Sequence, residues 1–315
     1  MIVTLTPNPS LDLALDVETL ARGEVNRAEA AHVHAGGKGI NVSRVLARHG
    51  IPTVAVLPAG GPDGTRLVAL LADQGVPAHA VPVAGNTRTN VTLVERGGAT
   101  TKINPPGPAL SAVEVDALLA AVEGELAAGP RLIVLAGSVP AGAGDEFFVR
   151  VAAAAARHGV PVALDTSGAP LARAVHAGGL DLVKPNDDEL AELVGRELAT
   201  VGDAVAAAHE VIAAGNATVL LSLGAHGALL VTAEDVCWAG GPALVPVSTV
   251  GAGDTTLAGF VGAQGRPADR LRTAVAWGRA AVLRPGSAVP GPADIDVRTV
   301  EVIDRPDPHL ALKEL

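Results

Sequence analysis

The sequence predicts an α/β protein: a mostly parallel sheet covered on both faces, with a small separate β lid. Three observations carry that reading. From about residue 40 onward, short apolar runs alternate with Ala-rich helical patterns, the order that gives buried parallel strands beneath crossover helices. Residues 11–35 and 79–103 instead alternate apolar and polar side chains without a helical period, as half-buried strands lying apart from a main sheet do. Glycine-rich turns follow several apolar runs, and the carboxyl ends of buried parallel strands are where such folds place ligands.

Taken in order, an opening strand runs into Asn8-Pro9-Ser10-Leu11-Asp12. The first alternating stretch (LDLALDV, then NRAEAAHVHA) leads to a Gly-rich turn at 35–41 and a helix ending at Gly50. Strands are expected at 53–57, 131–135, 160–164, 181–183 and 217–222, with helices between them at about 64–75, 111–128, 143–158, 186–195 and 202–214. Two further helices, 253–264 and 268–283, close the last third. The second alternating stretch (HAVPV, TNVTLVE, TTKIN) is divided by Gly97-Gly98. Both stretches read as antiparallel strands that form one lid over a cleft. No repeat or linker divides the chain, so 1–315 reads as a single domain with a discontinuous lid from about 11–35 and 79–105.

Composition narrows the function classes. The chain is 49% hydrophobic but has only three Phe, two Trp and no Tyr, so its core is built from Ala, Val and Leu. A net charge of −10 with no basic stripe excludes a nucleic-acid or anionic-membrane partner, yet allows local binding of an anionic metabolite. The single cysteine, Cys237, excludes a disulfide framework or a multi-cysteine metal site; beside Trp238 it reads as core packing. The amino terminus lacks a basic, then apolar, leader, and the charge-free runs 217–233 and 236–253 are broken by Gly, Pro or His. Neither a signal peptide nor a membrane span is expected, and a cytoplasmic protein is.

The most explicit chemistry lies in Ser248–Phe260, STVGAGDTTLAGF. Gly251 and Gly253 let the backbone close around an anion, since neither carries a Cβ. The first amides of the following helix are unpaired and partly positive. Asp254 stands at the rim, placed to take a proton from an attacking hydroxyl while the amides hold a transferring phosphoryl group. The same four residues equally form a Gly turn with an aspartate N-cap. In AGGKGIN at 35–41, Gly36, Gly37 and Gly39 permit close backbone approach, Lys38 brings charge and Asn41 offers hydrogen bonds. This is not the GxxxxGK[ST] of a Walker loop, and no GxGxxG follows the first strand.

Lys184-Pro185-Asn186-Asp187-Asp188-Glu189 opens a helix. Asn186 reads as its cap; alternatively, Asn186 and Glu189, one turn apart, face a hydrated Mg2+ near nucleotide phosphates. Ser222-Leu223-Gly224-Ala225-His226-Gly227 is a Gly-rich turn at a strand end. Asp12 suits a polyol hydroxyl, and Arg88, within Thr87-Arg88-Thr89-Asn90, suits a bidentate phosphate grip. The nine histidines show no metal spacing, and His32 and His34 share a face of an exposed lid strand.

Together and in this order, these motifs resemble the ribokinase/PfkB carbohydrate kinase family over nearly the whole chain. AGGKGIN and STVGAGDTTLAGF look like its two signatures, while NPSLD, GGKGINVSRVL, TRTNV and GSVP resemble its phosphosugar branch: 1-phosphofructokinase, tagatose-6-phosphate kinase and the minor 6-phosphofructokinase. The resemblance implies a ribokinase-like three-layer α/β/α core with a small β-sheet lid. It also assigns roles by position. Asp254 matches the catalytic base, and Gly251, Ala252 and Gly253 match the anion hole. Asp12, Gly37, Lys38 and Asn41 match positions that hold the sugar; Arg88, Ser138 and Arg27 match contacts to the phosphate the substrate already carries. Lys184, Asn186 and Glu189 match elements around ATP and Mg2+, with Glu189 reaching the metal through water. Ser222, Gly224 and Gly227 match the nucleotide loop, which Gly253 adjoins.

The reaction so implied is ATP-dependent phosphorylation of a ketohexose phosphate. Fructose 1-phosphate, giving fructose 1,6-bisphosphate, leads because GGKGINVSRVL most resembles that group. Tagatose 6-phosphate and fructose 6-phosphate are alternatives, as are an unphosphorylated sugar or nucleoside acceptor and a non-catalytic sugar-phosphate sensor. The resemblance further implies a homodimer through the lid strands, with Arg27 reaching across from a partner's lid. Three departures stand out: TPNPSLD in place of TLNPAID-like strings, Lys102 where several relatives carry an acid, and RAAVLRPGSAVP near the end.

Overall fold

Two sheets organise the computed structural model, which describes residues 1–315. The chain opens with β1 (Ile2–Leu5), β2 (Ser10–Val17), β3 (Ala30–Gly36), α1 (Lys38–Arg48), β4 (Thr53–Ala59), α2 (Gly61–Asp73) and β5 (Ala78–Pro82). It continues through β6 (Arg88–Glu95), β7 (Thr100–Ile103), α3 (Ala112–Ala127), β8 (Leu132–Ala136), α4 (Phe147–Arg157), β9 (Val162–Asp165) and α5 (Gly168–Ala177). Then come β10 (Leu182–Val183), α6 (Asp187–Val194), α7 (Val201–Ala213), β11 (Val219–Ser222), β12 (Ala228–Val231) and β13 (Val236–Gly240). Last are α8 (Ala252–Gly262), α9 (Pro267–Val282) and β14 (Glu301–Asp304).

The ten-stranded sheet has the order β14-β13-β12-β11-β10-β9-β8-β1-β4-β5. Its strands from β11 to β5 are parallel, and β12, β13 and β14 add antiparallel strands at one edge. Successive strand residues point to opposite faces, so each strand feeds two cores. Val3, Leu5, Ile133 and Leu135 pack with Phe147, Phe148 and the buried faces of α3–α7. Ile2, Val134 and Ala136 pack with α1, α8 and α9. The result is three layers, α/β/α, in which each fully buried Leu or Phe contributes about 1.5–3 kcal/mol from water exclusion. α8 and α9 lie unusually close: a Cβ at Gly259 would sit 2.9 Å from Ala274 Cα.

Several sequence expectations need correction. HAVPV belongs to the main sheet as β5, its edge strand, rather than to the lid; an edge strand alternates because solvent reaches it. In the four-stranded sheet, ordered β3-β2-β6-β7, the central pair β2·β6 is parallel, in register Ser10↔Arg88 through Val17↔Glu95. The cause is topological: β1 and β5 run in the same direction, so β2 and β6 both leave from the carboxyl end of the main sheet. The helix α5 has no clear sequence signal because Gly168 and Pro170 occupy its first turn, where proline is tolerated, and only Leu171, Ala174 and Val175 are buried. The antiparallel edge strands β12–β14 are likewise absent from the sequence expectation; β12 and β13 are short apolar pieces, and β14, EVID, is a mostly exposed outer strand. Cys237 is buried in β13, and burial pushes its thiol up to about 11, as a packing residue requires. No helix is long and apolar enough to cross a membrane.

Candidate active site

Polar residues gather where the parallel strands end: Asn8 beyond β1, Ser138 beyond β8, Asp165 closing β9, Lys184 beyond β10 and Ser222 closing β11. The amino ends of α1 and α8 meet this row. Gly251, in the left-handed conformation (φ 76°), is the N-cap of α8. Asp254 is therefore the third residue of the helix, which corrects its reading as an N-cap. The amides of Gly253 and Asp254 donate to no backbone carbonyl, so they remain open for an anion.

Asp254 is 8% exposed. Asn41 donates from Nδ2 to its Oδ2 at 2.8 Å, and the buried Arg44 orients that amide by donating from Nη1 to Asn41 Oδ1 at 3.2 Å. Burial, and then the negative charge of Asp165, push the Asp254 carboxyl up to about 6, although the Asn41 hydrogen bond and the charges of Lys38 and Lys184 pull the other way. A carboxyl titrating near neutrality is matched to proton abstraction.

Asp165 is a site residue that the sequence motifs do not mark. It is 1% exposed and sits between two lysines, with Lys38 Nζ at 2.6 Å and Lys184 Nζ at 3.1 Å. Burial would raise its carboxyl, but the charges of Lys184 and Lys38, with the hydrogen bond from Lys38, outweigh burial and hold it below the usual range. Burial likewise works against the charged form of Lys38, and the charge and hydrogen bond of Asp165 overcome it and raise the ammonium. The available signal was an acid ending an otherwise apolar strand, VALD. Lys184 is 5% exposed, and a Cβ on Gly253 would lie 3.7 Å from its Nζ, which puts this ammonium beside the open amides.

Asn186 caps α6 reciprocally with Glu189: Asn186 Oδ1 accepts from Glu189 N at 2.7 Å, and Glu189 Oε2 accepts from Asn186 N at 2.9 Å. Asn186 also bridges to Ser222, joining the Lys184–Glu189 turn to the 222–227 loop. Gly224 (φ 57°) has open space around its Cα. Gly227 instead packs against the Ala239 carbonyl, so its lack of a side chain serves the β12·β13 contact.

On the smaller sheet, Ser10 Oγ and Asn90 Nδ2 donate to Asp12 Oδ1 at 2.8 and 2.9 Å. Gly36 and Gly37, before α1, lie against Asp12 and Thr6 respectively. Arg88 donates from Nη1 to Pro105 O at 2.9 Å and from Nη2 to Asn8 O at 3.0 Å, while its buried Nε has no partner. Asn8 donates from Nδ2 to Ser138 Oγ at 3.1 Å. Arg27 is not brought to this cluster: it lies exposed in the loop between β2 and β3, at the end of the sheet away from Asp12. Lys102 is exposed on the edge strand β7, opposite Thr92.

A basic, amide-lined cradle with a near-neutral carboxylate, at the strand ends of a three-layer α/β/α fold, defines a phosphotransferase. Residues 8–294 match the pfkB family of carbohydrate kinases. The chain is 37% identical over 300 residues to the ATP-dependent 6-phosphofructokinase isozyme 2 of Mycobacterium tuberculosis, covering 94% of this chain and 88% of that protein. It is 38% identical over 265 residues to the 1-phosphofructokinase of Xanthomonas campestris, covering 83% of each. Its fold superposes on phosphofructokinase-2 from Escherichia coli in complex with fructose-6-phosphate with a TM-score of 0.85, at 34% identity, covering 93% of this chain and 96% of that one. The chain belongs to the PfkB family of carbohydrate kinases. It is an ATP-dependent kinase of ribokinase-like fold, and the expectation of phosphoryl transfer is borne out.

Proposed function

We propose that the chain transfers the γ-phosphoryl group of ATP to fructose 1-phosphate, giving fructose 1,6-bisphosphate and ADP. The observation that carries this reading is Asp254: buried, raised to about 6, held by Asn41 and adjoining open amides at the start of α8. In its ionised form it takes the proton of the free primary hydroxyl. The sugar oxygen forms the new bond to γ-phosphorus, the bond to the bridging oxygen breaks, and ADP leaves with that electron pair. Gly251, Ala252 and Gly253 form the anion hole, and Lys184 adds positive charge where the transferring group sits. Asp165 holds the ammonium groups of Lys38 and Lys184 in place.

Asp12, Gly37, Lys38 and Asn41 hold the sugar. Arg88 and Ser138 meet the phosphate it already carries; a guanidinium whose Nη atoms are fixed and whose buried Nε is unpartnered fits an incoming anionic oxygen. Lys184, Asn186, Ser222, Gly224, Gly227 and Gly253 line the nucleotide side. Glu189 spends one carboxylate oxygen on its cap, and no group of three acids, histidines or cysteines could hold a metal ion. That donor set fits a Mg2+ that keeps its water and is reached indirectly. When bound, the ion neutralises charge on the phosphates.

The smaller sheet acts as the discontinuous lid of one kinase domain, and its closure excludes water as a competing acceptor. Two lids pairing in a cytoplasmic homodimer would bring Arg27 to the partner's substrate, in keeping with its distance from the cluster in its own chain. Phosphofructokinase-2 from E. coli has a structure described as its tetrameric inhibited form. A second acceptor, fructose 6-phosphate, is favoured by the name of the M. tuberculosis relative and by the ligand of the E. coli structure. Steady-state kinetics on fructose 1-phosphate, fructose 6-phosphate and tagatose 6-phosphate, side by side, decide. The highest kcat/KM with fructose 1-phosphate supports the proposal, and a higher value with either rival replaces it.

A further inference from the structure

A separate cavity, of about 440 Å3, lies at the amino ends of the main-sheet strands, the opposite end from Asp254. The starts of β8–β11 and the junction of α8 with α9 wall it. Two arginines line it from different elements. Arg131, just before β8, donates from Nη2 to Val261 O at 2.6 Å. Arg270, in α9, donates from Nε to Phe260 O at 3.2 Å and stacks its guanidinium 4.1 Å from the centre of the Phe260 ring. These bonds satisfy carbonyls of the last turn of α8, and they use one donor of each arginine.

Arg131 is exposed and Arg270 half-buried, and the remaining donors of both take no protein acceptor. Both Nη atoms of Arg270, and Nε and Nη1 of Arg131, have no protein acceptor. The one carboxylate in the wall, the exposed Asp181, accepts from Val162 N through Oδ2 at 2.8 Å and forms no ion pair with either arginine. Burial, and then the charge of Arg131, pull the Arg270 guanidinium below its ordinary value, the direction expected where a second like charge lies close by. Thr218 and Gln264 add neutral polar groups to the same wall. Free guanidinium forks of this kind match the geometry of phosphate oxygens.

We propose that this cavity binds a small phosphorylated anion through Arg131 and Arg270, as a site separate from the catalytic cleft. It does not depend on which sugar phosphate the cleft accepts. The site would sit at the far end of α8, an 11-residue helix about 16 Å long whose first turn carries Asp254.

The test is a calorimetric titration of inorganic pyrophosphate into the full chain, with the cleft already filled by sugar phosphate and a non-hydrolysable ATP analogue. The wild type is expected to take up one pyrophosphate per chain. The double variant Arg131→Gln/Arg270→Gln is expected to bind it at least tenfold more weakly, with kcat measured without pyrophosphate within twofold of wild type. Arg270→Lys keeps the charge but loses the fork and is expected to weaken binding severalfold, so the site stays testable if the double variant fails to fold. No uptake by the filled wild type, or undiminished uptake by either variant, overturns the site.

Discussion

Asn41 donates from Nδ2 to Oδ2 of Asp254 at 2.8 Å, tying the first turn of α1 to the first turn of α8 across 213 residues of chain. The bond favours the ionised carboxylate, whereas burial and Asp165 favour the protonated one and leave the group at about 6. A base works only when deprotonated, so kcat/KM is expected to fall as pH drops through about 6. Asn41→Ala removes a contact that stabilises the charge, and its acid limb is expected to move to higher pH. Rate profiles of the two proteins between pH 5 and 8 check this; coincident limbs contradict it.

Asp165 is the counter-ion of two lysines, one of them almost fully buried. Asp165→Ala leaves Lys184 without a counter-ion in the interior, a change expected to cost about 3–5 kcal/mol of stability in urea unfolding. The native pair also has a pH signature. The Asp165 carboxyl lies below its unfolded value, so its contribution is present above the ordinary aspartate range and is lost as pH falls through the depressed one. A variant as stable as wild type at neutral pH argues against this role.

Gly253 separates stability from catalysis. It lies inside α8, and a methyl group placed on its Cα would meet nothing closer than Lys184 Nζ, 3.7 Å away. Gly253→Ala is therefore expected to fold as well as wild type or better, by up to about 1 kcal/mol from helix propensity. The methyl would occupy the space beside the open amides where the transferring group sits, so turnover is expected to fall on the order of tenfold or more. Thermal melting read beside ADP release tests both halves; unchanged turnover removes the cradle from this position.

Much of the fold was legible because it follows from local pattern. Strands buried on both faces read as apolar runs, and GAGD and AGGKGIN mark helix entries at strand ends. What escaped notice depended on spatial neighbours. The parallel pairing of β2 with β6 follows from which main-sheet strands precede them, and HAVPV alternates like a lid strand because it lies at a sheet edge. Asp165 has no motif of its own: its importance comes from Lys38 and Lys184, 127 residues before it and 19 after it in sequence. Arg88 was legible as a phosphate grip, but its engagement with the carbonyls of Asn8 and Pro105 was not, since it requires the 104–108 strap to fold back over it.

Whether Asp254 is the base is decided by ADP release from Asp254→Asn with ATP and fructose 1-phosphate, beside separate measurement of the Kd for each. The amide keeps the shape of the side chain and the space around it, but cannot accept the hydroxyl proton as a base. Removal of a buried carboxylate is also expected to raise thermal stability slightly. The expected result is a folded protein that binds both substrates near wild-type affinity and loses on the order of 100-fold or more in kcat. A folded variant with near-normal kcat would contradict the assignment of Asp254 as the base.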